Sequence, residues 1–103
     1  MIVAIDDVRD FSYAEIIARS YRAGRLVLEN SDKITHLILD HDLGSHDDRE
    51  TGYALLKELM EKGIGPKKVS LVTNNPVGRQ SMENLLLDNN YKQINSTCYV
   101  KGE

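Results

Sequence analysis

Short, unbroken apolar runs alternate with amphipathic stretches along this chain. Met1 to Ile5, His36 to Leu39 and Val69 to Val72 are such runs, and Cys98 to Val100 is a weaker fourth. Runs of this length without polar alternation fit strands buried on both faces. Between them, Gly52, Leu55, Leu56, Leu59 and Met60 recur at helical spacing, with Thr51 as N-cap and Gly63 as the stop. A further helix starts near Pro76, has Met82, Leu85, Leu86 and Leu87 as its expected apolar side, and ends at Asn89-Asn90. Strands alternating with helices predict an α/β fold with a mostly parallel sheet.

Residues 12–30 support two readings. Ser12 to Glu15 matches a capping box, which would open one long helix through Leu28. Alternatively, Glu15 to Arg19 is a short strand and Ser20 caps a helix running to about Glu29. Gly24 lies inside either helix, at a cost of about 1 kcal/mol relative to Ala.

The polar residues fall in phase with the strands. Asp6-Asp7, Asp40-His41-Asp42 and Thr73-Asn74-Asn75 each follow directly after an apolar run. In an open α/β sheet, ligands bind beyond the carboxyl ends of the strands, at the switch point in strand order. Three clusters of one phase therefore converge on one crevice. Close carboxylates stay ionised together only beside a cation. An oxygen-only cluster of Asp6, Asp7 and Asp40 suits Mg²⁺ or Mn²⁺. Thr73 offers a hydroxyl to a phosphoryl oxygen, and Asn75 and the amides near Gly78 offer further donors at a helix start. Arg9 and Arg79 are candidate phosphate clamps. The plainer reading makes these strand caps and turn residues, with His41 in an exposed loop. His46 to Glu50 reads as a solvated loop, and His36 as structural.

Composition narrows the classes. The chain has 103 residues, enough for one domain spanning 1–103. With 41% hydrophobic and 28% charged residues it is ordinary globular protein, not a disordered segment. A net charge of -3 argues against an extended nucleic-acid surface, while leaving room for a small phosphate-bearing ligand. Cys98 is the single cysteine, so no internal disulfide or multi-cysteine zinc site arises, and it reads as a buried core thiol. Tyr91 and Tyr99 read as core-edge residues or as an interface. No secretory signal and no membrane-length apolar run is evident. The expected compartment is the cytosol of a bacterium or of a phage-infected cell.

The polar clusters resemble the receiver domain of two-component signalling. There an acidic pair follows strand one, a phosphoacceptor Asp ends strand three, Ser or Thr ends strand four, and Lys ends strand five. The matching residues are Asp6-Asp7, Asp40, Thr73 and Lys101. A closer resemblance is to the cyclic-phosphate processing receiver domain family. It rests on Asp6-Asp7-Val8-Arg9, Asp40-His41-Asp42-Leu43-Gly44, Thr51-Gly52-Tyr53 and Thr73-Asn74-Asn75-Pro76-Val77-Gly78, with Met82 following.

That resemblance implies a flavodoxin-like, receiver-like three-layer αβα fold. Its central, mostly parallel sheet would have about five strands, with the first helix short or missing. It favours the strand at Glu15 to Arg19 followed by a helix after Ser20. It also implies processing of a cyclic phosphate on a nucleotide, an RNA end or an ADP-ribose-like ligand. In that expectation Asp6, Asp7 and Asp40 hold the metal. Asp40, His41 and Asp42 carry the chemistry, and Thr73, Asn75, Arg9 and Gly78 hold the phosphate. One departure stands out: the family often has His before the Ser/Thr of strand four, where this chain has Val72. A binding module without turnover and a phosphoacceptor switch on Asp40 are the alternatives.

Overall fold

The computed structural model describes residues 1–30, 33–63 and 65–102. In chain order the elements are β1 (Ile2–Ile5), β2 (Ile16–Ala18), α1 (Tyr21–Asn30), β3 (His36–Leu39), α2 (Gly52–Lys62), β4 (Lys68–Leu71), α3 (Pro76–Asp88), β5 (Tyr91–Gln93) and β6 (Cys98–Lys101). One six-stranded sheet runs in the order β2-β1-β3-β4-β6-β5. The first four strands are parallel, and β6 is antiparallel to both β4 and β5. This is a receiver-like α/β fold.

Residues 12–30 form the strand and helix, not one long helix. Ser20 Oγ accepts from the Ala23 amide at 3.1 Å and so caps α1. The capping-box match at Ser12 to Glu15 opens no helix. Glu15 is drawn into the β1–β2 pairing instead: its amide donates to the Ile2 carbonyl, and its carboxylate accepts from the Ile2 amide. Residues 6–15 hold no helix, as the family pattern implies. Thr51 Oγ1 caps α2 through the Ala54 amide, and Gly63 ends it in the left-handed conformation at φ 70°. Asn75 caps α3 through the Gly78 amide, with Pro76 opening the helix.

Leu28 of α1, Leu55, Leu56 and Leu59 of α2, and Met82 and Leu86 of α3 share one core, whereas Leu87 of α3 faces outward and lies outside it. Val3, Ile5, Leu37, Leu39, Val69, Leu71 and Tyr99 meet them from one face of the sheet. All three helices thus cover the same face. The connection from β1 to β2 moves across the sheet in the opposite direction to those from β2 to β3 and β3 to β4. The right-handed rule therefore runs residues 6–15 over the other face. The second helical layer of a three-layer receiver is here reduced to that crossover. By strand register, the other face carries Ile2, Ala4, His36, Ile38, Lys68, Ser70, Cys98 and Val100.

The C-terminal part departs most from expectation. Tyr91 to Gln93 forms a strand that the apolar pattern does not mark. The last strand then returns between β4 and β5, reversing direction. Tyr91 and Tyr99 are both buried, so neither forms part of an exposed surface. Cys98 is only half-buried, not a core thiol: its sulfur lies 3.1 Å from Ser70 Oγ, which also meets His36 Nε2 at 2.7 Å.

Candidate functional site

The parallel ladder continues past the last strand residues and aligns the acidic groups. The Asp6 amide donates to the Ala18 carbonyl, the Asp40 amide to Ile5, and the Val72 amide to Leu39. Asp6 and Asp40 thereby sit side by side beyond the carboxyl ends of β1 and β3, in line with Val72, and Thr73 follows one residue farther along. Asp6 is fully buried, and Asp40 and Thr73 are each 6% exposed. The strand order reverses at β1, which places the group at the switch point.

The cluster is acidic and only partly compensated. Asp6, Asp7 and Asp40 each offer an oxygen, all within 4.8 Å of one another. Asp6 Oδ1 accepts from the Val8 and Arg9 amides at 3.0 and 2.9 Å, closing a tight turn. The Arg9 guanidinium reaches back to Asp6 Oδ2 at 3.0 Å and Asp40 Oδ2 at 3.4 Å. Burial pushes the Asp6 carboxyl up, but the two amides and the guanidinium outweigh it, so its pKa falls below the ordinary value. Asp40 goes the other way. Burial and the neighbouring Asp6 charge raise it further than the Thr73 hydroxyl and Arg9 lower it.

Two glycines set the loop after Asp40. A β-carbon at Gly52 would collide with the Asp40 carbonyl, and the Gly52 amide donates to the His41 carbonyl at 2.9 Å. A β-carbon at Gly78 would collide with the His41 ring. The start of α2 and the start of α3 therefore both close directly on residues 40–41. This explains the glycines of the Thr-Gly-Tyr and Asn-Pro-x-Gly pieces through close approach. Leu43 is buried, and Gly44 turns the chain at φ 77°.

Most of the expected site residues gather here, though not all in the expected posture. Thr73 Oγ1 accepts from the Asn75 amide, which leaves its proton to donate. Asn75 Oδ1 caps the Gly78 amide, so that amide is engaged within the protein; Gly78 acts as the surface on which His41 lies. The Asn75 amide group lies 3.5 Å from the exposed Asp42 carboxylate. Among the described residues, His41 Nδ1 is buried without a hydrogen-bond partner. Arg79 turns away from the crevice, donating to the Leu71 carbonyl.

Lys101 does not reach the site. Because β6 is antiparallel, Val100 pairs with Lys68 at the start of β4, and the Lys101 amide donates to the Lys67 carbonyl. Lys101 therefore lies at the opposite edge from Asp40. Arg19 is a contributor that the apolar pattern does not reveal. Its guanidinium donates to the carbonyls of Asp6 and Arg9 and pairs with Asp10, pinning the turn that carries Arg9. Its position just after β2, at the same edge, is the signal that could have found it.

A family model described as the cyclic-phosphate processing receiver domain matches residues 1–88. No curated protein and no solved structure matches the chain. The matched span runs from β1 through α3 and contains every residue of the acidic crevice, so the chain belongs to the cyclic-phosphate processing receiver domain family.

Proposed function

We propose that the crevice hydrolyses a cyclic phosphate carried by a nucleotide, an RNA end or an ADP-ribose-like ligand. The observation that carries this reading is the surplus charge at the sheet edge. Three carboxylates gather beside one guanidinium, which pairs with Asp6 and Asp40 only. The donor set fits Mg²⁺ or Mn²⁺: all oxygen, closely grouped, and short of positive charge. Asp6, Asp7 and Asp40 would hold it. When bound, such an ion would supply positive charge to the phosphoryl oxygens.

The chain's own groups supply the rest. Thr73 donates its hydroxyl to a phosphoryl oxygen, and Arg9 and Asn75 hold the anion from the sides. In the reaction, water adds to phosphorus, one ring P–O bond breaks, and the freed alkoxide takes up a proton, giving a monoester. His41, or the exposed Asp42 carboxylate, moves that proton. The test is phosphorus NMR of the protein with Mg²⁺ or Mn²⁺ and a set of nucleoside and ADP-ribose cyclic phosphates. One cyclic resonance is expected to give way to a monoester, and Asp40→Asn to lose that turnover. Full turnover in Asp40→Asn would remove the reading.

A second reading, binding without turnover, draws on Val72. This apolar residue stands before Thr73 where the family often has His. It predicts line broadening of one cyclic phosphate with no product. The phosphoacceptor switch has less support, because Lys101 lies at the far edge of the sheet.

A further inference from the structure

The acidic cluster already contains a cation of its own. Arg9 Nη1 lies 3.0 Å from Asp6 Oδ2 and 3.4 Å from Asp40 Oδ2. Asp6 Oδ1 is taken up by two backbone amides, so Oδ2 is the oxygen that remains for a ligand, and Arg9 rests on it. A divalent ion drawn to Asp6, Asp7 and Asp40 would meet a positive guanidinium on two of its three carboxylates. Two positive groups on the same oxygens repel each other.

Arg9 is built so that its side chain can leave while its backbone stays. The amide is held by Asp6 Oδ1, and the carbonyl by Arg19. The guanidinium contacts the two carboxylates, and the side chain is 33% exposed. Among the described residues its side-chain hydrogen bonds go to those two carboxylates, and the fixed backbone keeps it beside the crevice. A freed guanidinium offers paired donors that match a phosphate.

We propose that Arg9 is an exchangeable counter-ion. It neutralises Asp6 and Asp40 in the cation-free protein, yields those oxygens to a divalent ion, and then turns to the phosphate. The site would thus assemble its anion-binding group only once the ion is in place. This inference rests on the divalent-ion reading given above.

The test is Mn²⁺ binding, followed by electron paramagnetic resonance of the free ion, in the wild type, Arg9→Gln, Arg9→Lys and Asp7→Asn. Arg9→Gln is expected to bind Mn²⁺ about tenfold more tightly than the wild type, and Arg9→Lys to bind nearer the wild-type level. Asp7→Asn is expected to bind more weakly. Equal or weaker binding in Arg9→Gln, with normal binding in the wild type, would overturn the exchange and leave the ion site standing. No Mn²⁺ binding by either protein would overturn the ion reading and the exchange together. A second measurement covers the case in which Arg9→Gln does not fold. The Arg9 side-chain Nε–H resonance of the wild type is expected to shift when Mg²⁺ saturates the protein, and an unmoved resonance at saturation would overturn the exchange.

Discussion

The sheet carries two polar groups, one within it and one at the ends of its strands, and the fold treats them in opposite ways. His36, Ser70 and Cys98 form a row across β3, β4 and β6, linked by contacts of 2.7 and 3.1 Å. Burial and the neighbouring Lys68 hold the His36 pKa below its ordinary value, so the imidazole is neutral near pH 7. Each member has a partner. Beyond the carboxyl ends of β1 and β3, Asp6 and Asp40 share one guanidinium, with the Asp7 carboxylate close by. Polarity inside the sheet is closed by hydrogen bonds, whereas charge is left in surplus at the edge. A satisfied polar row specifies structure. An unsatisfied charge cluster at a strand end costs stability and is retained where a ligand can supply the missing counter-charge.

The sharpest way to break this contrast is to move the acidic edge without touching an acid. In Gly52→Ala the new methyl would collide with the Asp40 carbonyl, so α2 must lift off the loop. The expected cost is about 3 kcal/mol, measured by urea unfolding, with loss of cyclic-phosphate binding. Unchanged stability would mean that α2 does not bear on Asp40 as described.

Asp40→Asn should act in the opposite direction on stability. The Asp40 carboxyl is pushed up by burial and by Asp6, so its ionised form is disfavoured in the folded state. Removing that charge should stabilise the protein by about 1 kcal/mol at neutral pH while abolishing turnover. A lower urea midpoint would show that pairing with Arg9 outweighs the repulsion.

The smallest effect should come from pH. The folded His36 pKa lies below the ordinary 6.5, so as pH falls the unfolded chain takes up a proton first. The His36 contribution to stability is present above that value and is lost as pH falls toward the folded pKa. Between about pH 7.5 and 5 the wild type should therefore lose more stability than His36→Gln. Parallel curves for the two proteins would show that the His36 row does not titrate with folding.

Much of this molecule is legible along the chain, because strand and helix identity and phase are local properties. Unbroken apolar runs mark β1, β3 and most of β4. Helical spacing marks α2 and α3, and Thr51, Gly63 and Pro76 punctuate them. The same phase marks the acids, since a residue that follows a buried parallel strand must emerge at its carboxyl end. The family motif settles what periodicity leaves open between residues 12 and 30. The strand at Tyr91 to Gln93 escapes because it is only three residues long, with Lys92 and Gln93 exposed, and looks like polar loop.

What the amino-acid order determined by itself was therefore most of the elements, with β5 the exception, their phase, and the grouping of Asp6, Asp7, Asp40 and Thr73 at one edge. Tertiary structure alone decided three further matters. The reversal of β6 between β4 and β5 carries Lys101 to the far edge, because strand direction depends on which long-range partner a strand finds. The helix starts at Gly52 and Gly78 close on residues 40–41, because only packing shows which missing side chain is needed for contact. Arg9 rests on the acids it follows in sequence, because a flexible cation settles where the folded chain has concentrated negative charge.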